Sequence, residues 1–313
     1  MTEAARTLAT GAVLALVLGG TAATACAQSN AVSSIAPPSA MFDYEPLGKP
    51  PEVKEVKPVV DWLPIWGKEA REKGFDLPLP FGVGLTYTYI RQNMVVSDIA
   101  IRGNPVGVTL RDADTVTDTA VVRGDAWLFP FLNVYALVGQ TSGVTRPALA
   151  LPDGQVLTSD VKYNRLSYGG GLTVAGGWKS WFGILDANWT KGPIVNDAGQ
   201  QTIDEPIQSV TVTPRIGTLF SSGKYGTGAV YVGGMYLLAT SEIRAVFDLR
   251  QHPGLAALIG SSTIDVTARV KPKDPWNLLI GGSWQPDKRW SITAEIGGVM
   301  DRSHFIASAM YRF

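Results

Sequence analysis

Two histidines, His252 and His304, and one thiol, Cys26, are all the soft ligand chemistry the chain offers. A side-chain metal site wants such ligands at short, fixed spacing, and neither histidine has one, so no metal is expected. A lone cysteine also rules out an intramolecular disulfide. The one local set of the right types for acyl hydrolysis is Asp301, Ser303 and His304, which could supply an acid, a nucleophile and a base. Neighbours in a strand point to opposite faces, and Asp, Ser and His are ordinary turn residues, so this spacing speaks against a working triad. Gly169-Gly170-Gly171 falls within a strand pattern and lacks the following helix that would cradle a phosphate. No catalytic residue and no cofactor is expected.

What remains is charge. The 27 basic and 27 acidic side chains cancel, leaving no basic stripe for a nucleic acid. Many sit within strongly alternating segments, and positioning them is the task of those segments. From Phe81 onward, stretches of about ten residues alternate between apolar and polar or small residues and are separated by turn residues, the pattern of half-buried strands. The segments are 81–102, 116–129, 133–145, 163–176, 180–191, 207–220, 227–247, 276–285, 289–300 and 304–313. Short connections at 130–132, 177–179, 221–226 and 286–288 alternate with long ones at 103–115, 146–162, 192–206 and 248–275. In 180–190, Trp181, Gly183, Leu185, Ala187 and Trp189 oppose Phe182, Ile184, Asp186, Asn188 and Thr190. In 276–285, Trp276, Leu278, Ile280 and Trp284 oppose Asn277, Leu279, Gly281 and Ser283. Both apolar faces carry two tryptophans eight residues apart.

The last strand, FIASAMYRF, places Phe305, Ala307, Ala309, Tyr311 and Phe313 on one wholly apolar face. A closing strand ending Tyr-x-Phe resembles the C-terminal signature of Gram-negative outer-membrane β-barrel proteins. The resemblance is to an architectural class, over 81–313. It implies an all-β fold, an antiparallel transmembrane up-and-down barrel of about ten strands. Twelve is the alternative, because 81–102 is long and Ile264 to Val270 also alternates. Eight residues at a barrel tilt climb roughly 20 Å, close to the spacing of two aromatic girdles. Trp181, Trp189, Trp276, Trp284, Tyr311 and Phe313 are then girdle residues, facing outer-membrane lipid. Arg123, Asp125, Arg165, Asp186, Arg215, Glu242, Arg244, Glu295 and Arg312 are expected to line the lumen. The barrel-assembly machinery would read the C-terminal strand. Inward glycines, Gly169, Gly171, Gly217, Gly281 and Gly297, leave room for a narrow path or merely permit curvature.

Residues 1–27 read as a signal peptide, with Arg6, an apolar run from Ala12 to Gly20 and an A-x-A site at Ala25-Cys26-Ala27; lipidation at Cys26 is the alternative. Residues 28–80 are Pro-rich, a periplasmic segment with one short helix between Leu63 and Gly74. Its Trp62, Leu63, Ile65 and Trp66 suit either a plug at the barrel mouth or a linker. Pro253 to Gly260 suggests a short apolar helix in the longest loop.

A barrel of this size is barely wider than its own side chains, so opposite charges should pair across it and obstruct free flow. The expected function is a narrow, porin-like or gated channel for small solutes. The alternatives are a closed, partner-binding barrel and, third, an outer-membrane hydrolase using His304.

Overall fold

The computed structural model describes residues 47–49, 56–73, 75–102, 109–151, 154–192, 207–251 and 253–313; the proposed signal peptide, Gly74 and His252 lie outside them. Its strands are β1 (Leu47–Lys49), β2 (Phe81–Arg102), β3 (Thr109–Phe129), β4 (Leu132–Ala150), β5 (Val156–Thr158), β6 (Val161–Trp178), β7 (Trp181–Gly192), β8 (Ile207–Ser222), β9 (Thr227–Asp248), β10 (Thr263–Pro272), β11 (Trp276–Gln285), β12 (Trp290–Gly297) and β13 (Arg302–Arg312). Two short α-helices, α1 (Gly67–Glu72) and α2 (Pro253–Ile259), and one 3-10 turn at Gly223–Tyr225 complete the described elements.

Ten strands close a ring. β2, β3, β4, β6, β7, β8, β9, β11, β12 and β13 pair antiparallel in chain order, and β13 returns to β2 with His304 opposite Ile90 and Tyr311 opposite Val83. At the seam the backbones of Phe81 and Phe313 exchange hydrogen bonds of 3.3 and 3.0 Å. Closure leaves the wall without a free edge, which is what a sheet needs where no water can satisfy its backbone.

β10 is a strand but does not make the barrel twelve-stranded. It pairs with the upper parts of β9 and β2, with Thr267 opposite both Arg244 and Ala100. One strand there spans the gap that β11, β12 and β13 fill lower down, so the ring narrows toward the long-loop end. β3 and β4 also run farther than the alternation suggested. Beyond the apolar zone only their outer face is polar, as at Arg111, Asp112 and Asp114, while Leu110, Ala113 and Leu149 stay buried inside; a register shift between Arg111 and Asp114 interrupts the two-residue pattern while the pairing continues.

The outer face is apolar. Trp181, Leu185 and Trp189 are 57, 46 and 41% exposed, whereas Phe182, Ile184, Asp186 and Asn188 between them are at most 5% exposed. Leu278, Ile280, Ile292 and Ile296 are likewise outward, and Asn277, Leu279, Thr293 and Glu295 inward. A groove of about 860 Å³ opens on this outer face around Pro214 and Gly234, walled by Ile216, Val232, Leu278 and Ile280.

Both ends are covered. At the turn end, residues 56–73 and 75–80 cross the mouth: Leu63, Leu77 and Leu79 are buried, the Ile65 N–H donates to the Leu128 carbonyl, and Lys288 pairs with Asp76. The Trp66 ring packs against Phe129, tilted, with centroids 4.9 Å apart. The helix begins only at Gly67, because Trp66 is left-handed (φ 68°) and the Gly67 N–H turns back to the Pro64 carbonyl. At the loop end, Leu110, Leu149, Phe247, Leu249, Ile264 and Val266 form a second apolar core inside the narrowed ring.

Candidate functional site: the barrel interior

Alternation puts every second residue of each strand inside, so each layer of the interior is assembled from strands distant in sequence. Nearest the turn end, Arg312 of β13 donates to both Asp125 oxygens of β3 at 3.0 and 3.2 Å. Asn133 of β4 donates to Asp125 and accepts from Arg123, each at 2.9 Å. The Arg123 guanidinium lies 3.5 Å over the Tyr135 ring. Arg312 also donates to the Leu79 carbonyl, which ties this layer to the covering segment.

In the middle layer the Arg215 guanidinium of β8 meets the Glu295 carboxylate of β12 at 2.7 and 3.0 Å, both side chains fully buried. The Tyr231 hydroxyl adds a third donor to Glu295 at 2.9 Å. Asp186 accepts from Tyr135 at 2.9 Å and from Thr173 at 2.6 Å. Apolar side chains pack among these groups: Trp127, Phe182, Ile184, Leu279 and Ile306 are each at most 5% exposed. Toward the loop end the wall becomes hydroxyl-rich, with Thr117 to Tyr163, Thr119 to Thr141 and Thr190 to Ser209 contacts of 2.7–3.0 Å. Arg165 is buried there, beside the Tyr163 ring.

Arg123, Asp125, Arg165, Asp186, Arg215, Glu295 and Arg312 are thus all buried inward. Arg244 is not, and the expectation is corrected. In β9 the inward row is Ala229, Tyr231, Met235, Leu237, Ala245 and Phe247, so Arg244 stands on the outer row, pairs with Asp265 of β10 and is 36% exposed. An outward arginine is tolerated because β9 has already left the apolar belt at that height. Glu242 belongs to the same row of the strand; its side chain lies outside the described residues.

At two of the inward glycines, Gly171 and Gly281, there is no room for a path. A Cβ at Gly171 would stand 2.5 Å from the Tyr135 ring, and one at Gly281 2.6 Å from the Tyr231 ring. These positions are small because large inward rings lie across them, so they pack the interior rather than open a path through it.

His304 points inward, with Nδ1 3.0 Å from Asn277 Nδ2, while Ser303 is exposed on the other face and Asp301 accepts from Asn93 at 3.0 Å. The three do not converge on a reacting atom. Among the described residues no group of three or more His, Cys, Asp or Glu side chains is gathered. Tyr135, Tyr231 and Arg302 were not singled out from the sequence, although the parity of their strands marks them as inward. Arg302 donates to Gln92 at 3.1 Å and to the Asp274 and Pro275 carbonyls, pinning the β10–β11 corner to β13.

The outward aromatics lie at two heights. Trp181, Trp284 and Phe313 are exposed near the turn end, where Tyr311 packs against Trp290 at 5.1 Å; Trp189 and Trp276 are exposed farther up, Trp276 against Tyr236 at 5.0 Å.

No protein-family model and no curated protein matches the chain. Among solved structures it is similar to the outer membrane protein OprG from Pseudomonas aeruginosa, at 13% identity and TM-score 0.38, over 75% of this chain and 98% of that one. It is also similar to an outer membrane channel from Pseudomonas putida F1, at 9% identity and TM-score 0.35, over 76% and 97%. A third is the Pseudomonas putida toluene transporter TodX, at 7% identity and TM-score 0.32, over 74% and 88%. Likeness at this level carries no functional inference, and the β-barrel assignment stands on the strand pairing itself.

Proposed function

We propose that the chain is an outer-membrane β-barrel acting as a narrow, gated channel for small solutes, closed in the state described here. The turn end faces the periplasm, as the short turns of such barrels do, and the two heights of outward aromatics, with Trp181, Trp284, Tyr311 and Phe313 below and Trp189 and Trp276 above, sit at the two lipid interfaces. One observation carries the reading. Inside the barrel, Thr88, Thr211, Thr213 and Thr293 hydroxyls, both polar atoms of Asn188 and His304 Nε2 are buried with no hydrogen-bond partner among the described residues. Each such atom costs about 1–3 kcal/mol when kept dry. Water or a polar solute would satisfy these groups, which supports a polar path through the lumen.

Single-channel recording of the refolded chain in planar bilayers tests the proposal. Small, intermittent conductance steps are expected, and Arg215→Gln should shift ion preference. A silent bilayer over long recordings would reject passage. The second reading, a closed barrel that binds a partner, is favoured by the covered ends, residues 56–73 and 75–80 at one mouth and the Leu149–Phe247–Ile264 core at the other. It predicts silence together with a pull-down partner lost on deletion of 62–74 or of 249–260.

A further inference from the structure

We infer that the turn end of the barrel carries a binding rim for anionic phospholipid headgroups, built from Lys179 with Trp178 and from Lys224 with Tyr225. The inference rests on the membrane orientation proposed above, not on passage through the lumen.

Two successive turns repeat one arrangement. In the β6–β7 turn, the Lys179 ammonium lies 5.0 Å from the Trp178 ring; in the β8–β9 turn, Lys224 lies 5.1 Å from the Tyr225 ring. Both rings are 64% exposed and continue the outward belt of Trp181, Phe220 and Trp284. An ammonium beside an interfacial ring sits at the height of lipid phosphates, with the ring at the boundary of the acyl chains. Lys179 is also left-handed (φ 55°), a conformation that Asn or Gly adopts more cheaply, so the lysine is not there for the turn.

Charge balance selects the lipid. The connections at this end carry Lys179, Lys224, Lys288 and Arg289 against Asp287, and the Asp287 carboxylate is occupied by the Arg289 and Trp290 N–H groups at 2.7 and 2.9 Å. Lys288 is taken by Asp76 of the covering segment. Lys179 and Lys224 form no ion pair among the described residues. Toward the loop end, Arg91, Arg146, Arg244, Arg250, Arg269 and Lys273 each stand beside a carboxylate; Arg111, Lys162, Lys191 and Lys271 form no ion pair among the described residues, but none of them lies over an aromatic ring as Lys179 and Lys224 do. A zwitterionic headgroup brings its own ammonium to an already basic rim, whereas a headgroup of net negative charge does not, so the rim prefers phosphatidylglycerol to phosphatidylethanolamine.

The test uses the full chain refolded into bilayers, with spin-labelled phosphatidylglycerol or phosphatidylethanolamine as probe. The motionally restricted fraction gives the relative association of each lipid with the barrel. Phosphatidylglycerol should be preferred at low salt, with the preference falling about fivefold per lysine in Lys179→Gln and Lys224→Gln and shrinking in wild type as salt rises. Lys162→Gln with Lys191→Gln, at the opposite end, should leave it unchanged. Heat-modifiable gel mobility confirms that each variant is folded. A preference that survives the double Lys179→Gln, Lys224→Gln change, or that falls equally in the opposite-end control, overturns the inference.

Discussion

Replacing Glu295 with Gln leaves the Arg215 guanidinium charged, buried and without its counter-ion. Glu295 accepts three hydrogen bonds, two from Arg215 at 2.7 and 3.0 Å and one from Tyr231 at 2.9 Å, and neither member of the ion pair has exposed side-chain surface. The glutamine oxygen still accepts one bond, from Tyr231, but both charge-assisted bonds lose the carboxylate. At about 1.5–3 kcal/mol for each such bond, the expected cost is about 3–5 kcal/mol, the range seen when one partner of a buried pair is removed. The double change Arg215→Met with Glu295→Gln removes both charges while the amide still accepts from Tyr231, and should return to within about 1–2 kcal/mol of wild type, which gives a coupling energy of at least about 2 kcal/mol in a double-mutant cycle. Urea titration of the chain refolded into lipid vesicles, followed by tryptophan fluorescence and by gel mobility, measures all four corners. A cost below about 1 kcal/mol for Glu295→Gln, with no coupling, would mean that water reaches this layer in the resting state. The picture of a barrel sealed by its own ion pair would then be wrong.

Other consequences can be checked in the same preparations. Gly281→Val drives a side chain into the Tyr231 ring and should destabilise the barrel by about 1–3 kcal/mol or block refolding, while Gly183→Val, where a Cβ meets nothing within 4 Å, should be tolerated. Trp66→Ala removes the ring contacts with Phe129 and Phe131 at the turn-end mouth and should raise the frequency of channel openings in planar bilayers. Arg244→Gln, on the outer row, should leave ion preference at its wild-type value while Arg215→Gln shifts it. At the loop end, the Arg250 side chain hydrogen-bonds the Asp248 carboxylate and holds it below the usual carboxylate range. That contact is complete above the ordinary carboxylate pKa and is lost as pH falls through the depressed value. NMR titration of labelled Asp should show Asp248 moving up toward the ordinary range in Arg250→Gln.

The barrel itself was legible because lipid outside and protein inside impose a two-residue period on each spanning strand. That rule placed Trp181, Leu185 and Trp189 outside and Asp186 and Asn188 inside, and it placed Arg123, Arg215 and Glu295 on inward rows. It failed where its cause stops acting. Above the apolar belt the outer row of β9 meets water, Arg244 becomes acceptable there, and charge no longer distinguishes inside from outside. In the upper part of β3 a register shift between Arg111 and Asp114 breaks the alternation instead, although Leu110 and Ala113 still face inward.

Strand number, faces and the apolar end of the chain were therefore set by local alternation, which any stretch of ten residues carries by itself. The sequence could not say which inward charge meets which. Arg215 and Glu295 are 80 positions apart, and they meet only because ring closure fixes the register of every strand. Nor could it show that Tyr135 and Tyr231 lie across Gly171 and Gly281, that β10 narrows one mouth, or that residues 56–73 and 75–80 cover the other. Each of these is a contact across the cylinder, decided by distances that exist only after the sheet has closed on itself.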